Sequence, residues 1–246
     1  MLENLTSIYS VIAKWLNDNQ GVAGVGVFVA TIFFGWASGI FSALRRRPKF
    51  KISLIDGPTF CCTFPTGTNK GETPVHRTGI ALYLAIANVG SAATSIDNIS
   101  IAYHWHVRPF SLSWLRYGVG WFWLRHQTAA IHDFQVKIGE NIKFYPFLTQ
   151  RSIVSGVVPS TFLEVGRSEN GVVYFEQPDS WGGCCPAPGN GGVRMKIALR
   201  DVFGSVHTAK FKIQSVSLED ARKYNPSFGK TFSELRNETL PHDTSI

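Results

Sequence analysis

His104 and His106 are the two residues of this chain best spaced to share a metal. In a strand, positions i and i+2 lie on one face, so both imidazoles could reach one ion. A metal centre needs a third ligand and a supporting shell, and the sequence assigns neither. The blander reading is a pair of histidines flanking Trp105, and His126, His132 and Asp133 add little to the metal reading. The four cysteines stand as adjacent pairs, Cys61–Cys62 and Cys184–Cys185. Zinc sites use spacings such as C-x-x-C, which turn two thiolates toward one ion. Neighbours in a strand point to opposite faces, so each pair is expected to place one sulfur inward and one outward. Gly182 to Gly192, GGCCPAPGNGG, is glycine-rich but lacks the Lys-Ser/Thr of a phosphate-binding loop, and a hairpin loop is expected there. Neither GxSxG nor HExxH occurs, and a Ser/His/Asp triad would meet only in space. The expectation is a chain with no assigned catalytic residue, metal or cofactor.

The densest chemistry lies in Val107–Gln127, VRPFSLSWLRYGVGWFWLRHQ. Arg108, Arg116 and Arg125 alternate there with Phe110, Trp114, Tyr117, Trp121, Phe122 and Trp123. Four readings are open. The side chains could enter an anionic leaflet or form a protein-binding surface, since Trp, Tyr and Arg dominate hot spots. They could stack on single-stranded nucleic acid, the least favoured of the binding readings. Several of the aromatics could simply be core.

Whatever these residues do, an N-terminal element positions them at a membrane. Gly21 to Leu44 contains no charged residue. As a helix it would span roughly 36 Å at 1.5 Å per residue, enough for a hydrocarbon core of about 30 Å. A signal peptide would carry its cations before the apolar run. Here Arg45, Arg46, Arg47, Lys49 and Lys51 follow it, so the positive-inside rule places the C-terminal part in the cytoplasm and the N-terminus outside. The expected location is the inner membrane, and that compartment argues for reduced cysteines and for unused Asn-x-Ser/Thr triplets at Asn4, Asn98 and Asn237. Gly24, Thr31, Gly35, Ser38, Gly39 and Ser42 fall on one side at helical spacing, with Gly35 and Gly39 forming GxxxG. Such a face lets helices approach closely, so a homo-oligomer through this stripe is expected. Residues 1–20 carry Leu5, Ile8, Ile12, Trp15 and Leu16 at amphipathic spacing, which suits a helix lying on the leaflet or extending the anchor.

The basic segment 45–51 leads into a β domain over residues 48–216, with 107–127 as an insertion and 217–246 as a helical tail. Alternation marks strands at Lys49–Ile55, Ile80–Asn88, Ile96–His106, Val193–Asp201 and Ser205–Ile213. Weaker strands are read at Phe134–Ile138, Ile142–Phe147, Phe162–Val165 and Val172–Phe175, and a polar loop at 66–78. Asp201 and Gly204 fit the ends of a type I turn, and Ser217 with Asp220 fits a helix start running to Tyr224. A second short helical segment is expected over Ser227–Glu238. About eight strands with no helix among them predict a mainly β, immunoglobulin-like sandwich behind one transmembrane helix. At 246 residues, +7 net charge and a mean hydropathy of +0.02, the chain is neither polytopic nor disordered. Much of the positive excess sits in the juxtamembrane run, which removes the main argument for a nucleic-acid face.

The runs ALYLAIANVGSAATSIDNISIAY, RMKIALRDVFGSVHTAKFKI and SLEDARKYNPSFG resemble bacterial single-pass membrane proteins with a cytoplasmic immunoglobulin-like domain. In layout alone the chain is also similar to membrane-anchored effectors of bacterial anti-phage systems. The expected partners are therefore the lipid bilayer, a protein or signal, and further copies of the chain. The expected role is a non-enzymatic sensor or effector, with a structural tether or a hydrolase or metal enzyme as alternatives.

Overall fold

The computed structural model describes residues 2–40, 46–105, 110–116, 120–130, 132–150, 160–182, 184–189, 192–231 and 234–236, with backbone only for 2–9, Ser113, Arg116 and Pro178. Of the sequence-derived candidates, Ser42, Arg45, His106, Arg108 and Tyr117 lie outside the described residues. The chain forms two compact units, Met1–Arg47 and Pro48–Ile246.

The first unit contains α1 (Leu2–Asp18) and α2 (Gln20–Ala37). Asn19 separates them, its side-chain amide donating to the Trp15 carbonyl at 2.9 Å. The 18 residues of α2 have a mean hydropathy of 1.6, and none is buried. At 1.5 Å per residue it is about 27 Å long, so it is long and apolar enough to cross a membrane. It ends earlier than the apolar run: Ser38 is its C-cap and Gly39 turns left-handed at φ 74°. Gly24, Thr31 and Gly35 thus lie on α2, whereas the second glycine of GxxxG stands beyond its end. Thr31 donates its hydroxyl to Val27 O at 2.8 Å, which satisfies it inside an apolar helix.

The second unit is mainly β. Its strands are β1 (Phe50–Leu54), β2 (Phe60–Lys70), β3 (Thr73–Asn88), β4 (Thr94–His104), β5 (Trp121–Leu124), β6 (Phe134–Ile138), β7 (Asn141–Tyr145), β8 (Phe162–Leu163), β9 (Ser168–Trp181), β10 (Gly192–Asp201) and β11 (Val206–Ser215). A short helix α3 (Leu112–Arg116) lies between β4 and β5, and α4 (Leu218–Tyr224) follows β11. Along the large sheet the order is β1-β3-β2-β11-β10-β4-β5, with β9 on the other edge of β3 and β8 beside β4. β1 and β2 share one edge of β3, β1 along Leu84–Asn88 and β2 along Thr73–Ala81. All pairings in this sheet are antiparallel except a short parallel one between β11 and β2.

Alternation along β3 builds two cores. Ile80, Leu82, Leu84 and Ile86 join Val173, Phe175, Ile99, Ile101, Met195 and Ile197 in the first. Ala81 and its neighbours Phe60, Phe64, Val172 and Tyr174 join Phe134, Tyr145, Phe147 and Phe228 in the second, under the β6–β7 hairpin and α4. Gly79 permits the second core to close, because a Cβ there would stand 2.4 Å from the Phe228 ring.

Several expectations are corrected. Residues 66–78 are not a loop but the turn of the β2–β3 hairpin, with strand on both sides of Gly71. Cys61 and Cys62 are both buried, because β2 has a core on each face. The 182–192 segment joins β9 to β10, which are not neighbours, so it is a crossing connection rather than a hairpin loop. Residues 107–127 are not wholly an insertion, since Trp121–Leu124 pairs with β4 as an edge strand, and α3 places a helix among the strands. The expected helix over Ser227–Glu238 begins as turns at 226–229, and only Glu234–Arg236 is helical among its described residues. The Asp201–Gly204 turn and the Ser217 cap form as read: Gly204 N–H donates to Asp201 O at 2.9 Å, and Asp220 N–H to Ser217 Oγ at 3.1 Å.

Candidate functional site

The site begins with a register effect. β9 and β5 lie at opposite ends of the strand order, yet both bound one cleft. β5 is held against β4 by the pairs Ile101–Leu124 through His104–Trp121. The chain beyond β5 then closes on β9: Thr128 N–H donates to Tyr174 O at 2.9 Å, and Glu176 N–H donates to Thr128 Oγ1 at 2.9 Å. Between these two attachments a cleft of about 760 Å³ opens. Phe122, Trp123 and Leu124 form one wall, Arg77, Glu176 and Gln177 the other, and Arg125, Lys230 and Thr231 stand around it. A pocket of this volume is in the range of small-molecule sites.

At its wall a charged group is held in a fixed place. Glu176 Oε1 stands 3.4 Å from Arg77 Nε, with both side chains mostly buried, and Tyr174 Oη donates to Glu176 Oε2 at 3.2 Å. Arg77 reaches Asp179 through its terminal nitrogen at 3.5 Å. Burial raises the Glu176 carboxyl above the usual glutamate range, opposed by the Arg77 guanidinium and the Tyr174 hydroxyl. Burial also raises the Tyr174 phenol, and the adjacent Glu176 carboxylate raises it further. Behind this wall Tyr103 hydrogen-bonds Gln177 Oε1, and its hydroxyl lies 3.2 Å from Cys184 O. The arrangement presents an apolar, partly aromatic wall opposite paired charges. It can hold a ligand that has a flat apolar portion and a polar edge.

The aromatic–basic segment divides between roles. Phe122 stacks on Tyr103, centroids 5.3 Å apart, and packs on the first core. Trp121 meets the His104 ring edge-on at 5.8 Å, and the Trp123 ring lies 5.6 Å from Lys196 Nζ. Arg125 is exposed at the cleft. Trp114 is half-buried beside Phe110, which is 86% exposed with φ 61°. Arg116 lies on α3. His104 Nε2 is 3.2 Å from an Arg194 terminal nitrogen, a neighbour that disfavours a cation there. Among the described residues no three His, Cys, Asp or Glu side chains are grouped to hold a metal. Lys49 and Lys51 flank the first strand residue, exposed, and Arg46 and Arg47 precede them.

Of the cleft residues, sequence reasoning singled out Trp123 and Arg125 but missed Arg77, Glu176, Gln177, Lys230 and Thr231, while Trp121 lies outside the lining. One signal was present: Glu176 directly follows the apolar run Val172–Phe175, where a carboxylate breaks an otherwise buried strand.

No protein-family model matches the chain, and no curated protein matches it. Among solved structures it is similar to a Bordetella pertussis chain described as an ApaA protein, at 10% identity and TM-score 0.28, over 69% of this chain and 96% of that one. A likeness at that level assigns no function.

Proposed function

We propose that the chain is a membrane-anchored sensor whose immunoglobulin-like β-sandwich binds a partner or signal in the cytoplasm. The carrying observation is the β5–β9 cleft, where apolar Phe122, Trp123 and Leu124 face the Arg77–Glu176 pair. Such convergence of a few polar groups on an apolar recess is the usual form of a binding site. The sandwich reading draws support from antiparallel strands whose apolar faces share one core. The orientation, N-terminus outside and β domain in the cytoplasm, rests on the cations that follow the apolar run.

In this reading the cleft engages its ligand without chemistry, and occupancy is relayed as clustering of the anchors through Gly24, Thr31 and Gly35. Clustered anchors would disturb the bilayer, which is the action of an effector in anti-phage defence. Native mass spectrometry of the detergent-extracted full-length protein tests the binding step. The wild type is expected to carry a non-lipid species that a Trp123→Ala, Arg125→Glu variant lacks. The same bound species in both, or none in either, contradicts the reading. Gly35→Ile with Gly39→Ile should lower oligomer content, and unchanged oligomers and phenotype would remove the clustering step.

One observation favours a second reading, a tether that recruits a soluble partner. Phe110, Leu112 and Leu115 stand exposed around α3. A tether tolerates replacement of its anchor by an unrelated helix, whereas a clustering sensor loses function on that swap.

A further inference from the structure

A connected set of loops gathers at the end of the β domain where the chain arrives from the anchor. Lys49 O accepts from Val89 N–H at 2.8 Å, and Lys49 N–H donates to Asn88 Oδ1 at 3.5 Å. Asn88 also ties in the β8 region, its amide donating to Leu163 O at 3.1 Å and its carbonyl accepting from Gly166 N–H at 2.8 Å. Phe50 N–H lies 3.4 Å from His207 Nδ1, and His207 Nε2 is 3.0 Å from the buried Asp201 carboxylate. Asp201 in turn accepts from Phe203 N–H at 3.0 Å and Ser205 N–H at 2.9 Å, which fixes the β10–β11 turn. Val202 N–H donates to Ser95 O at 3.2 Å, and Ser95 pairs with Phe162. One hydrogen-bonded web thus joins the first residues of the domain to three loop tips.

Those tips expose apolar side chains. Phe203 is 68% exposed and Phe162 55%, and Val89, Val165, Val202 and Val206 are similarly open. Turn positions normally carry polar residues, and the Asp201 network holds this turn rigid while it shows Val202 and Phe203 to solvent. Scattered exposed valines need no explanation, but six such residues on loops and strand ends at one end of the domain form a patch that does. Lys49 and Lys51 stand exposed beside it, and the Glu164 carboxylate at the same end is neutralised by Arg167 at 3.2 Å.

We infer that this end of the β domain docks on the lipid bilayer, with Phe203, Val202, Phe162 and Val165 entering the headgroup region of an anionic leaflet. The inference rests on the reading of α2 as a membrane anchor. Only residues 38–49 lie between the end of that helix and β1; four of them, Arg45, Arg46, Arg47 and Lys49, are cations, and Lys51 in the first strand adds a fifth. Apolar tips bracketed by cations match an interface whose outer layer is anionic and whose inner layer is apolar. A protein partner would gain from the apolar tips but has no such reason to require the adjoining cations. The docking gives the domain a fixed stance, with the β5–β9 cleft toward the other end of β3 and β4.

Photo-crosslinking tests this on the full-length protein, reconstituted in phosphatidylcholine vesicles with and without phosphatidylserine. A benzophenone-bearing phenylalanine analogue replaces Phe203, or Val165 in a second variant, or Phe110 as a control at the opposite end of β4. The expected result is lipid adducts at 203 and 165, several-fold above those at 110, and rising with phosphatidylserine. Adducts at 110 that exceed those at 203 and 165 overturn the inference. So do protein–protein adducts at 203, or none at either tip, in a protein that floats with the vesicles. Failure to float instead removes the anchor reading itself, so the two failures are separable.

Discussion

At one end of the β domain, apolar side chains stand out on loop tips pinned by hydrogen bonds; at the other, charged and aromatic side chains line a recess. The same strands serve both. β3 starts near the cleft and ends at Asn88, and β9 runs back from Ser168 to Glu176. What differs is how polar groups are handled. At the end where the chain enters the domain, the buried Asp201 accepts from two turn amides and meets His207, so its polarity is spent internally and the apolar tips face out. At the cleft, the Glu176 carboxylate meets Arg77 and Tyr174 and stays at a solvent-reachable wall. The first arrangement suits a nonspecific apolar surface, the second a selective one. Polar groups held at a wall penalise ligands that cannot pair with them.

Four changes break or sharpen that contrast, from the largest effect down. Phe175→Ala removes a fully buried ring from the core that both ends share. It should cost about 3–5 kcal/mol and lower the unfolding midpoint, with both ends lost together. Asp201→Ala strands two turn amides and should cost about 2–3 kcal/mol. Hydrogen exchange should quicken over 201–207 and stay unchanged at 174–177; quickening at both would show that the ends are not separable.

Glu176→Gln probes the cleft through pH. The folded carboxyl is raised, chiefly by burial, so the native state holds a proton that the unfolded chain has released. Stability from this group is therefore full below the unfolded glutamate range and is lost as pH rises through the folded value. The variant should flatten the pH dependence of the unfolding midpoint just above the ordinary glutamate range. An unchanged profile would mean that Glu176 ionises as it does in water. Arg125→Glu should be smallest in stability, within about 0.5 kcal/mol at an exposed position, while it weakens whatever the cleft holds.

The strands with clean alternation were legible: β3 and β10 bury Ile, Leu, Val or Met at every second residue, β4 buries Ile99, Ile101 and Tyr103, and β11 turns Ala209, Phe211 and Ile213 inward between exposed neighbours. What stayed hidden depends on pairing across long stretches of chain. The polar segment 66–78 becomes strand because β2 and β3 pair around Gly71, with Thr63 and Thr78 hydroxyls 3.0 Å apart. One thiol of the Cys61–Cys62 pair was expected outside because a strand with one covered face would expose it; the second core buries Cys62 as well and lifts its thiol to about 11, with Arg222 pulling the other way. Nothing local marks a second layer made by residues 134–147 and 218–228. The cleft was half legible for the same reason. Its aromatic wall is one contiguous run, 122–125, while its charged wall draws on positions 77, 176 and 230, which meet only in the fold.

The most direct test is the side of the membrane on which the cleft lies. Arg125→Cys, an exposed position, is treated with a membrane-impermeant maleimide in intact and in opened cells, against the wild-type background of half-buried Cys184 and Cys185. Labelling of residue 125 only after opening is the predicted result, a domain held in the cytoplasm with its cleft accessible there. Labelling in intact cells would contradict it and place the cleft outside.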